Sequence, residues 1–179
     1  MKNRQDIFLE HFEPLKKNLW RFCLSVSPTY DDAKDLLQDT IETAYREFEN
    51  LKHKEAFLSW MFSIASRLNN SYQSKRCKTE LSSEKYYDLL ESNELTPDRI
   101  FEIKLLYQAL EKLPIEQKEA IVLCNILGYP QNIAAEIQNV KLETLKQRIL
   151  RGKSQLKILL SSEIKTTGEF VNHNPVRQK

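Results

Sequence analysis

Glycine is almost missing from this chain. Three glycines in 179 residues are too few for a β-rich fold, whose tight turns depend on residues that accept positive φ. Cysteine is equally sparse. Cys23, Cys77 and Cys124 are far apart and odd in number, with no CxxC pair and no Cys/His cluster, which argues against a disulfide framework and a zinc site. Each lies in or beside an apolar run, as buried thiols of a reducing cytosol do. Long hydrophobic runs are absent too. The longest, around Ala120 to Leu127, is interrupted by Asn125 and is far too short to insert in a bilayer. The opening MKNRQDIFLEHFEPL has no signal-peptide core, so a cytoplasmic protein is expected. Three isolated histidines (His11, His53, His173), no phosphate-binding glycine loop and no nucleophile constellation leave no basis for an enzyme, a cofactor or a metal.

What is present is Leu, Glu, Lys, Ile and Ala in helical periodicity, which predicts an all-α fold. Residues 5–26 form an amphipathic stretch that Pro14 kinks or splits. Thr29, with Asp31 and Asp32 behind it, starts a helix reaching about Phe48. A basic loop, Asn50 to Lys54, leads to a helix over about 55–76 with Phe57, Trp60, Met61, Ile64, Ala65, Leu68 and Tyr72 inward. Residues 5–77 therefore read as one three-helix domain. Residues 78–98 are acidic, serine-containing and weakly patterned, a linker that is at most partly helical. Thr96-Pro97 opens a second domain over 99–162. Pro114 starts its next helix, and Gly128 ends it. Shorter helices follow at about 131–138 and 142–160. The polar tail, 163–179, carries no periodicity and is expected to be disordered.

The net charge of +2 sets up no global field, so any nucleic-acid binding has to come from local segregation of charge. Asn139 to Lys157 supplies it: Lys141, Lys146, Arg148, Arg151, Lys153 and Lys157 stand against one acid, Glu143. Asn139 suits a tight left-handed turn between two helices, which makes the segment a helix-turn-helix candidate. Ile133, Ala134, Ile137, Val140, Leu145 and Ile149 would fill the pocket between those helices. Glu143, Thr144, Lys146, Gln147, Arg148, Leu150 and Arg151 would then face away from it. Gln147 and Arg151, one turn apart, suit adenine and guanine edges, and Leu150 suits a thymine methyl. Lys146, Arg148 and Lys153 suit phosphates.

The helix Asp31–Glu49 has the opposite sign, with Asp31, Asp32, Asp35, Asp39, Glu42, Glu47 and Glu49 against Lys34 and Arg46. It would repel DNA and fit a basic protein surface. Taken in order, DDAKDLLQDTIETAYREF, FLSWMFSIASRL, KLPIEQKEAIVL and EIQNVKLETLKQRILRGKSQL resemble four successive signatures of the sigma-70 family, closest to its extracytoplasmic-function (ECF) group, over about residues 5–160.

That resemblance implies a transcription initiation factor. Its partners would be core RNA polymerase, through the clamp helices and the flap region, double-stranded promoter DNA and the melted −10 strand, with an anti-sigma factor as a further partner. Asp32, Asp35, Leu36, Gln38 and Asp39 would contact the polymerase. Lys52, His53, Lys54, Arg67, Asn70, Lys75 and Arg76 would serve the −10 element. Lys141, Thr144, Lys146, Gln147, Arg148, Leu150 and Arg151 would serve the −35 element. The acidic linker would run through the polymerase's RNA channel.

The chain departs from the family pattern at several positions. Pro130 replaces a Ser/Thr, Asn139 the turn glycine, Lys141 the residue that opens the recognition helix, and Lys118 an arginine. The promoter-opening helix, usually arginine-rich, reads Ser59, Ser63, Ser66, Arg67, Asn69, Asn70 and Ser71 on the face taken as outer, which lowers the expected phosphate affinity on the −10 side. Two other readings stay open: a helix-turn-helix regulator acting without polymerase, and a degenerate sigma-like interaction protein.

Overall fold

The computed structural model describes the backbone of residues 3–73 and 96–171, and the side chains of residues 3–72 and 96–162. Every regular element among these residues is helical. The stretch expected to kink or split at Pro14 is two helices, α1 (Arg4–Phe12) and α2 (Lys16–Val26), because proline cannot donate to the helical ladder and its ring crowds the preceding turn. Asn3 and Asp6 cap α1 reciprocally. Thr29 caps α3 (Tyr30–Glu47): its hydroxyl accepts from the Asp32 amide at 3.1 Å, as the sequence indicated. Two short 3-10 turns, Phe48–Asn50 and Lys54–Ala56, lead to α4 (Phe57–Gln73).

The second group of helices begins with α5 (Pro97–Glu111). Thr96 sits at its N-cap position, but its side chain makes no capping bond. α6 (Ile115–Ile121) runs into a π-helical turn, Val122–Ile126. There the Leu127 amide reaches back five residues to the Val122 carbonyl at 2.9 Å. Gly128, at φ 75°, takes the left-handed conformation that ends the turn. α7 (Gln131–Ile137) and α8 (Leu142–Val171) complete the chain. α8 was expected to stop near Leu160, with a disordered tail from 163; its backbone instead stays helical to Val171, through residues such as Glu163, Ile164 and Lys165 that propagate a helix readily. The linker from 78 to 95 and the tail from 172 lie outside the described residues.

Both groups contribute to one continuous core. At one end Phe8, Phe48 and Phe57 meet edge to face, with centroids 5.3–5.8 Å apart. In the middle Phe22 packs on Phe62 at 5.4 Å, and Phe62 packs on Tyr129 at 5.2 Å, so one phenyl ring joins α2, α4 and the segment after the π turn. Leu19, Leu24, Leu36, Met61 and Ile64 on one side, and Leu110, Leu123 and Leu145 on the other, are all fully buried.

Because apolar packing crosses between the groups, both should unfold in one cooperative transition, with calorimetric and van't Hoff enthalpies equal. Phe62→Ala should lower the stability of both groups together by about 3–5 kcal/mol, measured by denaturant titration with one fluorescent probe in each.

Candidate nucleic-acid interface

The turn between α7 and α8 has the conformation a helix-turn-helix requires. Asn139 is the one non-glycine residue with positive φ among the described residues, at 50°, where an asparagine is tolerated better than most side chains. Its amide donates to the Glu136 carbonyl at 3.0 Å, and the Val140 amide donates to the Ala135 carbonyl at 3.0 Å, which closes the end of α7. Ala134, Ile137, Leu145 and Ile149 are buried between the helices, with Ile133 and Val140 half-buried. Gly152 is buried where α8 crosses α6; a Cβ there would stand 2.6 Å from the Ile121 Cδ1.

This packing leaves a polar outer face. Lys141, Thr144, Lys146, Gln147 and Arg151 are exposed, and Leu150 is 59% exposed, an apolar side chain given to water beside the basic ones. Lys146 pairs with Glu143 at 2.8 Å, a surface pair that a phosphate can displace at little cost. Arg148 is half-buried, and its guanidinium donates to the Gln138 Oε1 at 2.8 Å, so it braces the turn from the rim of the face.

On the first group of helices, Asp35 and Gln38 are exposed on α3 and Asp32 is half-buried. Asp39 is half-buried and accepts a hydrogen bond from the Tyr72 hydroxyl of α4. Leu36 does not belong to this surface. It is fully buried in the core, because its position on α3 faces α2 and α4, and the contact expected of it is corrected accordingly. In the loop, Lys52 and His53 are exposed. Lys54 is turned inward: its ammonium donates to the Phe48 carbonyl at 2.9 Å and lies 3.5 Å from the centroid of the Phe48 ring. Arg67 and Asn70 are exposed on α4. A cavity of about 250 Å³, lined by Thr43, Arg46, Glu47, Ile64, Arg67 and Leu68, opens between α3 and α4. Lys75 and Arg76 lie outside the described residues.

The polar row of α4 is the larger correction. Ser59, Ser66 and Asn69 are at most 5% exposed and Ser63 is half-buried; together they line the contact with α6 and α7. Ser59 donates to the Glu136 Oε1 at 2.7 Å; the Ser63 hydroxyl lies 2.7 Å from the Ser59 carbonyl of its own helix and 3.1 Å from the Ile137 carbonyl, which share its one proton. Ser66 and the Asn69 amide donate to the two oxygens of Glu119, at 2.7 and 3.2 Å. Next to Glu119, the Lys118 ammonium donates to the Val26 carbonyl at 3.1 Å and to Glu111 at 2.6 Å, satisfying a carbonyl at the last turn of α2. Asn18 donates to the Tyr129 hydroxyl at 3.1 Å. Glu119, Glu136, Tyr129 and Asn18 drew no attention in the sequence. The one available signal was the run of serines where a basic face was expected.

Burial pushes the Glu119 carboxyl up to about 7, against the opposing pull of its hydrogen bonds to Ser66 and Asn69 and the charge of Lys118. Burial also pushes the Cys23 thiol far up, so it stays protonated and inert.

All the regular elements among the described residues are helical, and a basic helix-turn-helix near one end with an acidic helix near the other suits a DNA-binding protein. Comparison with known proteins is more specific. Residues 11–77 match the profile described as sigma-70 region 2, and residues 103–156 that of sigma-70, region 4. The chain is 31% identical over 144 residues to the ECF RNA polymerase sigma factor EcfG of Rhodopseudomonas palustris, covering 80% of this chain and 79% of that one. It is 25% identical over 148 residues to the RNA polymerase sigma factor SigV of Bacillus subtilis, covering 83% and 87%. Its fold is similar to that of the sigma factor RpoE of Bartonella quintana, solved in complex with the anti-sigma factor NepR, with a TM-score of 0.69, 25% identity and coverage of 86% and 98%. It is also similar to CnrH, solved with the cytosolic domain of CnrY, with a TM-score of 0.67, 21% identity and coverage of 88% and 90%. The chain belongs to the ECF sigma factors of the sigma-70 family, a family of transcription initiation factors. No helix among the described residues is long and apolar enough to cross a membrane.

Because the Glu119 value is raised on folding, its contribution favours the folded state in full below the ordinary glutamate range, near 4.5, and is lost as pH rises through about 7. Denaturant stability should therefore fall between pH 5 and pH 8 by at most about 3 kcal/mol from this group. Glu119→Gln should flatten that part of the profile.

Proposed function

We propose that this sigma factor binds core RNA polymerase through α3 and directs it to two-element promoters. Residues 5–77 form the polymerase- and −10-binding unit, and residues 99–162 the −35-binding unit. The observation that carries the reading is the pairing of two surfaces of opposite sign in sigma-70 order. The acids of α3, with Asp35 exposed, suit a basic protein surface such as the polymerase clamp helices. The exposed face of α8 suits a major groove, with Gln147 and Arg151 at base edges, Leu150 at a thymine methyl, and Lys141 and Lys146 at phosphates. The cavity beside Arg67 is large enough for one unstacked base of the −10 strand. The flap region is the natural partner of the −35-binding unit. One similar structure, the sigma factor RpoE of Bartonella quintana, was solved in complex with the anti-sigma factor NepR, which supports an anti-sigma factor as a further partner here.

The test is competition for core polymerase against a housekeeping sigma factor. The wild type should compete. Asp35→Lys, on an exposed position that holds no structural contact, should lose competition while helicity and melting stay unchanged. Equal competition by the variant would remove α3 from the interface. In the complex with polymerase, Arg151→Ala should cost about 1–3 kcal/mol of promoter affinity and relax selectivity at a single base pair, read by filter binding on a library of −35 variants.

A further inference from the structure

The acids of α3 and of the turn after it are nearly all engaged within the protein. Asp31 pairs with Lys34 at 3.7 Å, Asp32 accepts from the Thr29 hydroxyl at 2.7 Å, and Asp39 accepts from Tyr72. Glu42 accepts from the Gln38 amide at 2.9 Å, and Glu49 pairs with Arg4 at 3.5 Å. Asp35 is exposed to water. Glu47 belongs to neither kind. It is half-buried, and it has no hydrogen bond or ion pair among the described residues. A carboxylate drawn partly out of water without a partner is disfavoured, so its position calls for a donor from outside the chain.

Glu47 lines the cavity of about 250 Å³ between α3 and α4. Arg67 lines it from α4 and is also without a partner among the described residues. The two walls bear opposite charge, yet no ion pair among the described residues spans them, so the space between the charges is open. Ile64 and Leu68 add apolar surface on which a flat ring can lie. Arg46 lines the cavity too, is exposed, and donates to the Thr43 hydroxyl at 3.3 Å. One turn before Thr43, the Tyr72 hydroxyl donates to Asp39 and fixes α3 against α4.

A ligand for this cavity has to offer donors to a carboxylate, which only accepts, and acceptors to a guanidinium, which only donates. Among the bases, guanine does this most completely. Its N1–H and N2–H2 give each carboxylate oxygen a donor, while O6 and N7 give the guanidinium two acceptors. Adenine and cytosine bring donors from a single exocyclic amine, and thymine from one ring N–H.

We propose that the cavity between α3 and α4 is a guanine site, in which Glu47 reads the N1–H and N2–H2 edge, Arg67 reads the O6 and N7 edge, and Arg46 holds the phosphate of the same nucleotide. This rests on the function proposed above, which brings one unstacked base of the −10 strand to this cavity. It makes Glu47 the residue that decides which base is taken.

The test uses the full chain bound to core polymerase and a single-stranded oligonucleotide library randomised across the −10 element. Base frequencies in the bound fraction are ratios, so a change in overall affinity or in the amount of folded protein does not move them. The wild type should enrich guanine at one position by roughly tenfold, as one bidentate pair allows. Inosine there, which lacks the N2 amine, should lose most of that enrichment. Glu47→Gln should lose it as well and turn toward adenine, whose edge a side-chain amide matches. A wild type that prefers guanine at no position overturns the site, and so does a guanine preference that Glu47→Gln leaves intact. If the wild type does not bind core polymerase, the initiation function fails, and GMP titrated into the free chain decides the site by itself. Binding of GMP but not of AMP or CMP, lost in Glu47→Gln, keeps the site and assigns it to a free nucleotide; no binding of GMP overturns it.

Discussion

Placing the Glu119 carboxyl out of water is the constraint on which the arrangement of this molecule depends. An ionisable group 1% exposed is costly unless its oxygens are satisfied. Here both are, and by residues of the other half of the chain: Ser66 on one oxygen, Asn69 on the other. The neighbouring Lys118 reaches across in the same way to the Val26 carbonyl. Two adjacent ionisable residues in the middle of a short helix thus commit α6 to α4 and α2. The apolar contacts around them, with Phe62 against Tyr129 at the centre, exclude the water that would otherwise loosen those bonds.

This polar junction takes up two of the departures from the family pattern, the polar row of α4 and Lys118. On α4, serines and an asparagine stand where a basic face was expected, and they donate to Glu119 of α6 and Glu136 of α7. Lys118 stands where the family has an arginine, and its single ammonium is enough for one carbonyl and one carboxylate. The π turn after α6 belongs to the same device, because the extra residue per turn swings Tyr129 toward Asn18 and Phe62.

Much of the fold was legible in the sequence because it follows from local rules. Pro14 splits the first helix, and Thr29 with Asp32 starts the third. Asn139 takes the left-handed turn, and the spacing of Ile133 to Ile149 identifies the inner face of the helix-turn-helix. The outer face of α8 followed by elimination. Local rules failed where a side chain's direction is set by a distant partner. Leu36 sits within an acidic motif, yet the packing of α3 on two helices draws it into the core. Lys54 lies in a basic loop, yet the Phe48 ring and carbonyl hold it inward. Periodicity alone also could not end α8, since no residue just past Leu160 forbids a helix.

The sequence by itself determined the helical class, the order of the elements, the two charge-bearing helices and the family. Each is encoded in spacing, composition and caps that act within a few residues. Tertiary structure alone decided that the serine row of α4 is an interior face. Side chains at 59, 63, 66 and 69 look the same in sequence whether water, DNA or protein covers them. Only the approach of Glu119 and Glu136, 50 to 77 residues further along, settles which it is, because a hydroxyl has no fixed preference until an acceptor is brought to it.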